Sequence, residues 1–164
     1  MSLCLLGLVK PQKTSALGGP TDDVGSCAQL EALNSDSHAS DDITLTSDID
    51  CTGQTVAALF PNGYHGTFNG QGHTIRGFVL NDPSGDSDGL FSSATGATFE
   101  NVTLTDGSVA SEYEAGALLG SGSDVNVTNV SSDWTVTAGI YYAGGLIGGL
   151  GYDTSVASSY NLNN

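Results

Sequence analysis

The residues best placed for chemistry are acidic. The segment Asn81–Gly89 reads NDPSGDSDG, which gathers Asp82, Asp86 and Asp88 around glycines that allow a sharp bend. Hard cations take several oxygen ligands from loops of this kind, so these three residues are the Ca2+ candidates of the chain. EF-hand spacing is absent and no bidentate Glu follows, so a solvated acidic turn is the competing expectation. Asp48 and Asp50 sit two apart on an expected strand and therefore on one face. Paired carboxylates serve acid–base chemistry, but this pair falls in the segment expected to cap the fold. His38, His65 and His73 are scattered, with no evident Ser or Cys partner. No His-Glu-Xaa-Xaa-His zinc motif occurs. The sequence therefore gives no reason to expect an enzyme, and no cofactor is expected beyond the weak Ca2+ candidate.

Other residues bear on linkage and recognition. Cys27 and Cys51 bracket a short unit and would pair in an oxidising compartment; two free buried thiols are the alternative. Asn101-Val102-Thr103, Asn126-Val127-Thr128 and Asn129-Val130-Ser131 match the N-glycosylation pattern. Asn101 and Asn129 are expected to stack as an inward-facing amide ladder, which leaves Asn126 as the least conflicted acceptor. Tyr141, Tyr142 and Tyr152, with Trp134 nearby, would suit sugar or protein binding if exposed. Packing over the end of the fold is the competing reading.

The elements that position these residues follow a repeat. Gly89-Leu90-Phe91-Ser92, Ala117-Leu118-Leu119-Gly120 and Gly145-Leu146-Ile147-Gly148 recur at an interval of 28 residues. A period of this length marks a stacked-repeat architecture. Phe99 and Val127 follow their leucines at equal distance, as do Asn101 and Asn129, and Val156 marks a third copy that runs one residue long. Ile75, Phe78 and Leu80 read as an upstream half-copy of Phe99, Val102 and Leu104. Apolar residues alternate between Gly, Ser, Asn and Asp punctuation, which is strand patterning with turns. At about 3.3 Å per residue, one unit holds about three short strands and three turns. Such a unit cannot bury its apolar face alone, but a stack can. The expected core therefore includes Leu90, Leu118, Leu146, Phe99, Val127 and Val156.

Residues 1–22 read as a leader or disordered segment, with an apolar run from Leu3 to Val9 and small residues at Ser15–Gly19. Residues 23–65 are expected to form a cap, with a short helix from Cys27 to Leu33, a first strand from Ile43 to Ile49 and an irregular loop from 52 to 65. Residues 66–164 are expected to form the coils. The chain carries 18 acidic and 3 basic residues, for a net charge of −15. That surface repels nucleic acid and anionic lipid. No stretch reaches the apolar length of a membrane span. Asp outnumbers Glu by 14 to 4, a balance like that of proteins from salt-adapted organisms, where screening makes high charge tolerable.

The run Leu45-Thr46-Ser47-Asp48-Ile49-Asp50, followed by Gly66-Thr67-Phe68-Asn69-Gly70-Gln71-Gly72-His73-Thr74-Ile75, resembles the opening of GLUG-motif proteins. The three Gly-Leu-hydrophobic segments are similar to the repeat that names that family. Together the matches span roughly residues 27–161, and the last copy departs from the pattern with Ser158 in place of Asn. The resemblance implies a right-handed parallel β-helix of about three to four coils on a secreted or cell-surface protein. It implies an adhesin or a large surface peptidase; since the zinc motif is absent, a non-catalytic structural or adhesive module is expected, with a carbohydrate-binding β-helix the alternative, ahead of a polysaccharide-cleaving one. A surface protein or glycan is the expected partner. The last coil lacks a cap, so self-association or further repeats are expected at its edge.

Overall fold

The computed structural model describes residues 21–162. Most of the expected leader, residues 1–20, lies outside the described residues. The first strand, β1 (Thr21–Val24), already belongs to the fold. It is followed by α1 (Cys27–Ala32), a 3-10 turn (Asp36–His38), β2 (Asp42–Leu45) and β3 (Ile49–Asp50). β1 pairs in parallel with β2. Ser26 caps α1 by accepting a hydrogen bond from Gln29 N at 3.3 Å, and Gly25 N donates back to Gln29 Oε1 at 2.9 Å. This reciprocal pattern satisfies two otherwise orphaned donors at the helix start. Six residues are too few for a helix to persist alone; Leu30 and Leu33 hold it by burial against the coils.

The coils begin with β4 (Thr67–Asn69), β5 (Thr74–Arg76), β6 (Val79–Asp82), β7 (Ser87–Asp88) and β8 (Phe91–Thr95). The next coil contains β9 (Thr98–Thr105), β10 (Ser108–Ser111), β11 (Glu114–Gly116) and β12 (Leu119–Ser123). The third contains β13 (Asn126–Ser132), β14 (Thr135–Ala138), β15 (Tyr142–Gly144) and β16 (Ile147–Leu150), and β17 (Ser155–Ala157) and β18 (Tyr160–Asn161) start a fourth. Neighbouring coils pair in parallel on four walls, which are β4/β5–β9–β13–β17/β18, β6–β10–β14, β7–β11–β15 and β8–β12–β16. The fold is a parallel β-solenoid of about four coils.

A coil therefore holds four strands where the sequence suggested three. The reason lies in the repeated motif, which turns a corner. β11 ends at Gly116 and β12 begins at Leu119. A Cβ on Gly116 would lie 2.3 Å from the Leu119 carbonyl, so only glycine allows the bend. Leu90 and Leu118 point inward from this corner and are fully buried.

Other corners explain much of the aspartate. Gly96, Asp124 and Asp153 occupy one corner of successive coils with φ of 69°, 55° and 54°. Gly77 and Asp106 occupy another, at 70° and 52°. Left-handed backbone is costly for most side chains, and Gly, Asn and Asp adopt it most readily. Part of the Asp excess over Glu is thus a turn requirement, independent of any response to salt.

The register of the upstream half-copy differs from the sequence expectation. Phe68 pairs with Phe99, Ile75 with Leu104 and Leu80 with Val109. The Asn69–His73 turn is longer than its counterpart in the next coil, with Gln71 and Gly72 at positive φ, so the apparent match of Ile75 to Phe99 is displaced. The segment 52–65, expected as a loop, contributes core. Leu59 and Tyr64 bridge to Phe91 and Ala94, and Phe60 and Tyr64 are fully buried. They join Phe68, Phe91 and Phe99 in one aromatic cluster, with ring centroids 4.9–5.9 Å apart.

A second aromatic pair spans three coils. Phe78 and Trp134 stack at 5.4 Å across the position of Gly107. A Cβ there would come within 2.4 Å of the Trp134 ring and 2.7 Å of the Phe78 carbonyl oxygen. Gly107→Ala is expected to cost about 1–3 kcal/mol by overpacking, read as a lower urea midpoint with unchanged m-value.

The expected core positions are not equally covered. Phe99 and Val127 are fully buried and pair in register. Leu146 is only partly buried, and Val156 is 47% exposed. Val156 does pair with Val127, but no described coil covers its other side. Val156 is therefore an exposed edge residue of the last described coil and not a core residue.

Candidate functional site

The asparagine ladder runs along the β4–β9–β13 wall. Asn101 Nδ2 donates to Asn69 Oδ1 at 3.4 Å, and Asn129 Nδ2 donates to Asn101 Oδ1 at 3.0 Å. Asn101 and Asn129 both adopt positive φ, 56° and 55°. The ladder faces outward, contrary to the sequence expectation, since Asn101 is half-buried and Asn129 exposed. The left-handed turn rotates their side chains out of the alternation that buries Val102 and Val130. Ser158 takes the same turn in the fourth coil, at 51°, without an amide to extend the ladder. Asn126 is exposed, and its Oδ1 accepts from Ser155 Oγ at 2.8 Å.

The acidic loop lies between β6 and β7. Asp82 Oδ1 accepts hydrogen bonds from Ser84 N at 3.1 Å and Ser84 Oγ at 3.0 Å. Asp86 is exposed, whereas Asp88 is only 5% exposed and its Oδ2 has no hydrogen-bond partner. Burial, followed by the nearby Asp82 and Asp86 charges, raises the Asp88 pKa, while Ser111 opposes the rise. The ligand atoms of the three do not draw within 4.8 Å of one another. A raised folded-state pKa means that ionised Asp88 costs stability above that pKa, and the cost fades as pH falls toward the ordinary carboxylate range. Asp88→Asn is therefore expected to stabilise the fold at pH 8, by about 1 kcal/mol, and to lose this advantage near pH 4. Urea melts of both proteins at the two pH values check the sign.

The remaining candidates are tied into the structure. Asp50 pairs with Arg76, and Thr52 N donates to Asp50 Oδ1 at 2.9 Å. The Thr52 hydrogen bonds and then the guanidinium hold the Asp50 pKa down at about 2. Asp48 Oδ1 accepts from Thr74 N at 3.0 Å and lies 3.1 Å from His73 Nδ1, and these contacts lower its pKa. Both carboxylates clip the cap to the first coil. His65 Nδ1 lies 2.9 Å from the Thr95 carbonyl oxygen. Cys27 and Cys51 form a buried disulfide with Cα atoms 5.3 Å apart.

The groove runs across β8, β12 and β16. It encloses about 310 Å3 and carries the hydroxyls of Ser93, Thr95, Ser121 and Ser123 beside the Glu114 carboxylate. Parallel register aligns these hydroxyls, with Ser121 opposite Ser93 and Ser123 opposite Thr95. Glu114 reaches in from the neighbouring wall and accepts from Ser87 Oγ at 3.0 Å. Gly149 keeps the upper rim open; a Cβ there would lie 2.6 Å from Glu114 Oε1. Tyr142 is the register partner of Glu114. Tyr113, Tyr141 and Tyr142 form a ledge with centroid separations of 5.3 and 6.2 Å, and Tyr141 and Tyr142 are 65% and 63% exposed. The sequence reading singled out Tyr141 and Tyr142 but not Glu114 or the hydroxyl rows. Their only trace in the sequence is the recurrence of Ser between the glycines of the motif.

No helix among the described residues is long and apolar enough to cross a membrane. No family model matches the chain, and no solved structure matches it. The chain is similar to halomucin of Haloquadratum walsbyi, at 32% identity over 143 residues covering 77% of this chain. It spans about 2% of the length of halomucin.

Proposed function

We propose that the chain is a non-catalytic structural module of a secreted or cell-surface protein, and a GLUG-type repeat unit within it. The observation that carries this reading is an asymmetry of the stack. Its first coil is closed by α1, the disulfide and the 52–65 segment. Its last coil leaves Leu150, Val156 and Tyr160 about half exposed along the strand edges. Repeat arrays propagate from such edges, and a further coil or a second copy is the partner that fits them. The similarity to a far longer protein supports this, as does an acidic surface suited to a salt-rich medium. The engaged carboxylates and histidines support a role without catalysis. Protease shaving of intact source cells tests it. Peptides from 21–162 are expected in the shaved fraction; recovery only after lysis would contradict the reading.

The groove and the tyrosine ledge favour a second reading, carbohydrate binding. Aromatic faces pack against sugar C–H surfaces while hydroxyls and a carboxylate take the ring oxygens and hydroxyls. On this reading Tyr141→Ala and Glu114→Gln each weaken binding on a glycan array, while Val79→Ala, an exposed change on another wall, does not. Equal signals from all four proteins would rule it out.

A further inference from the structure

Asp22, His38 and Asp41 converge at the start of the fold, away from the groove. Asp22 comes from β1, His38 from the 3-10 turn, and Asp41 precedes β2. His38 Nδ1 lies 3.1 Å from Asp22 Oδ2 and 2.8 Å from Asp41 Oδ2, and the three ligand atoms all lie within 4.8 Å of one another. We propose that these residues form a binding site for a first-row divalent cation, with Zn2+ the best-matched ion.

Three observations carry this. The first is spacing. Zn–N and Zn–O bonds of about 2.0–2.1 Å place neighbouring ligands about 3.3–3.4 Å apart on a tetrahedral ion and about 2.8–3.0 Å apart on an octahedral one. The two His–Asp separations are close to these edge lengths, so an ion enters with small side-chain adjustments. The second is charge. Two carboxylates converge on one imidazole, with no Lys or Arg side chain among the described residues paired to them. Among the described residues the only Lys or Arg is Arg76, and it is paired with Asp50. The third is preorganisation by bonds that do not depend on an ion. His38 N donates to Ser35 O and Asp41 N to His38 O, each at 3.0 Å, which sets His38 and Asp41 side by side. Tyr64 OH donates to the Asp41 carbonyl oxygen at 2.8 Å, and His65 N to the Ala39 carbonyl oxygen at 2.7 Å. The Asp41 side chain is 9% exposed, while Asp22 and His38 are 28% and 35% exposed, so the trio has a buried base and a side open to water.

The donor set selects the metal. An imidazole nitrogen with two carboxylates suits Zn2+ and its first-row neighbours, whereas Ca2+ requires six or more oxygens. A bound ion would staple β1, which among the described residues pairs only with β2, to the cap. Binding to the folded chain alone raises its apparent stability.

The test uses the full chain carrying Cys4→Ser, stripped with chelator. ZnCl2 is expected to bind once per chain by calorimetry and to raise Tm with the logarithm of its concentration. CaCl2 and MgCl2 are expected to do neither. His38→Gln should weaken Zn2+ binding by at least the ~10-fold that loss of even an outer-sphere partner costs; His73→Gln should leave it unchanged. Should His38→Gln fail to fold, Co2+ added to the parent chain decides. Visible d–d bands that Zn2+ bleaches support the site. Absence of Zn2+ binding, equal binding by His38→Gln, or absence of Co2+ bands would overturn it.

Discussion

Leu118→Asp leaves the chain unfolded. Leu118 is fully buried at the corner between β11 and β12, midway along the stack, with the Leu90 and Leu146 corners one coil to either side. Leu118 N donates to Leu146 O at 2.9 Å, and Phe91 N to Leu118 O at 2.9 Å, so this residue links three coils through its backbone as well. Deleting the side chain alone removes about 2–5 kcal/mol. Asp adds the penalty of an unpaired carboxylate in an apolar interior, several kcal/mol more. A domain of this size holds about 5–15 kcal/mol in total. Circular dichroism should therefore show no cooperative melt. Thr137→Asp, an equal change of charge on the exposed face of β14, should melt like the parent. A normal transition for Leu118→Asp would refute the repeat register.

Loss of the Cys27–Cys51 bridge is the second large effect. The bridge closes a loop of 24 residues, for which chain entropy gives roughly 3 kcal/mol. Its position adds to this. Cys27 opens α1, Cys51 follows β3, and Cys51 N donates to Arg76 O at 2.8 Å. Once the bridge is reduced, a six-residue helix is held by the burial of Leu30 and Leu33 and by single hydrogen bonds such as Ala57 N to Glu31 Oε2. The urea midpoint should fall on reduction, and Cys27→Ser with Cys51→Ser should match the reduced parent. Without reductant, alkylation should leave the Cys27 and Cys51 peptides unmodified. Two alkylated thiols at these positions would contradict the bridge.

The interval between Leu90, Leu118 and Leu146 was enough to specify a parallel stack, because each coil must repeat its inward residues in register. Strand number was harder to read. The glycines of the motif look like strand punctuation but form a corner between two walls, so four short strands read as three. The upstream copy was misaligned because extra residues in the Asn69–His73 turn shift the spacing without changing the letters. Val156 carries the core pattern but lacks a covering coil, and a pattern of residue types does not record what lies above it. The asparagine ladder could be inferred from register alone. Its outward face depends on positive φ at Asn101 and Asn129, which only the backbone shows. The groove was the least legible feature. Glu114 and the Ser and Thr rows come from different walls, and a corner joins them only in three dimensions. The Asp22–His38–Asp41 trio is illegible for another reason: Asp22 falls at the end of a stretch whose composition suggests a leader.

Residues 28 apart lie side by side on one wall of the stack. Thr103 and Ser131 are register partners on β9 and β13, with their hydroxyls 3.2 Å apart. In a Cys4→Ser background, Thr103→Cys with Ser131→Cys places two thiols on neighbouring strands within disulfide reach. Thr105→Cys with Ser131→Cys keeps the same wall but shifts the pair two residues along the strand, to about 7–8 Å. Mass spectrometry of unreduced peptides, cut before the aspartates that separate the two positions (Asp106 and Asp124), should show the first crosslink in high yield after mild oxidation and the second in trace amounts. Equal yields, or a crosslink only in the shifted pair, would contradict the solenoid register.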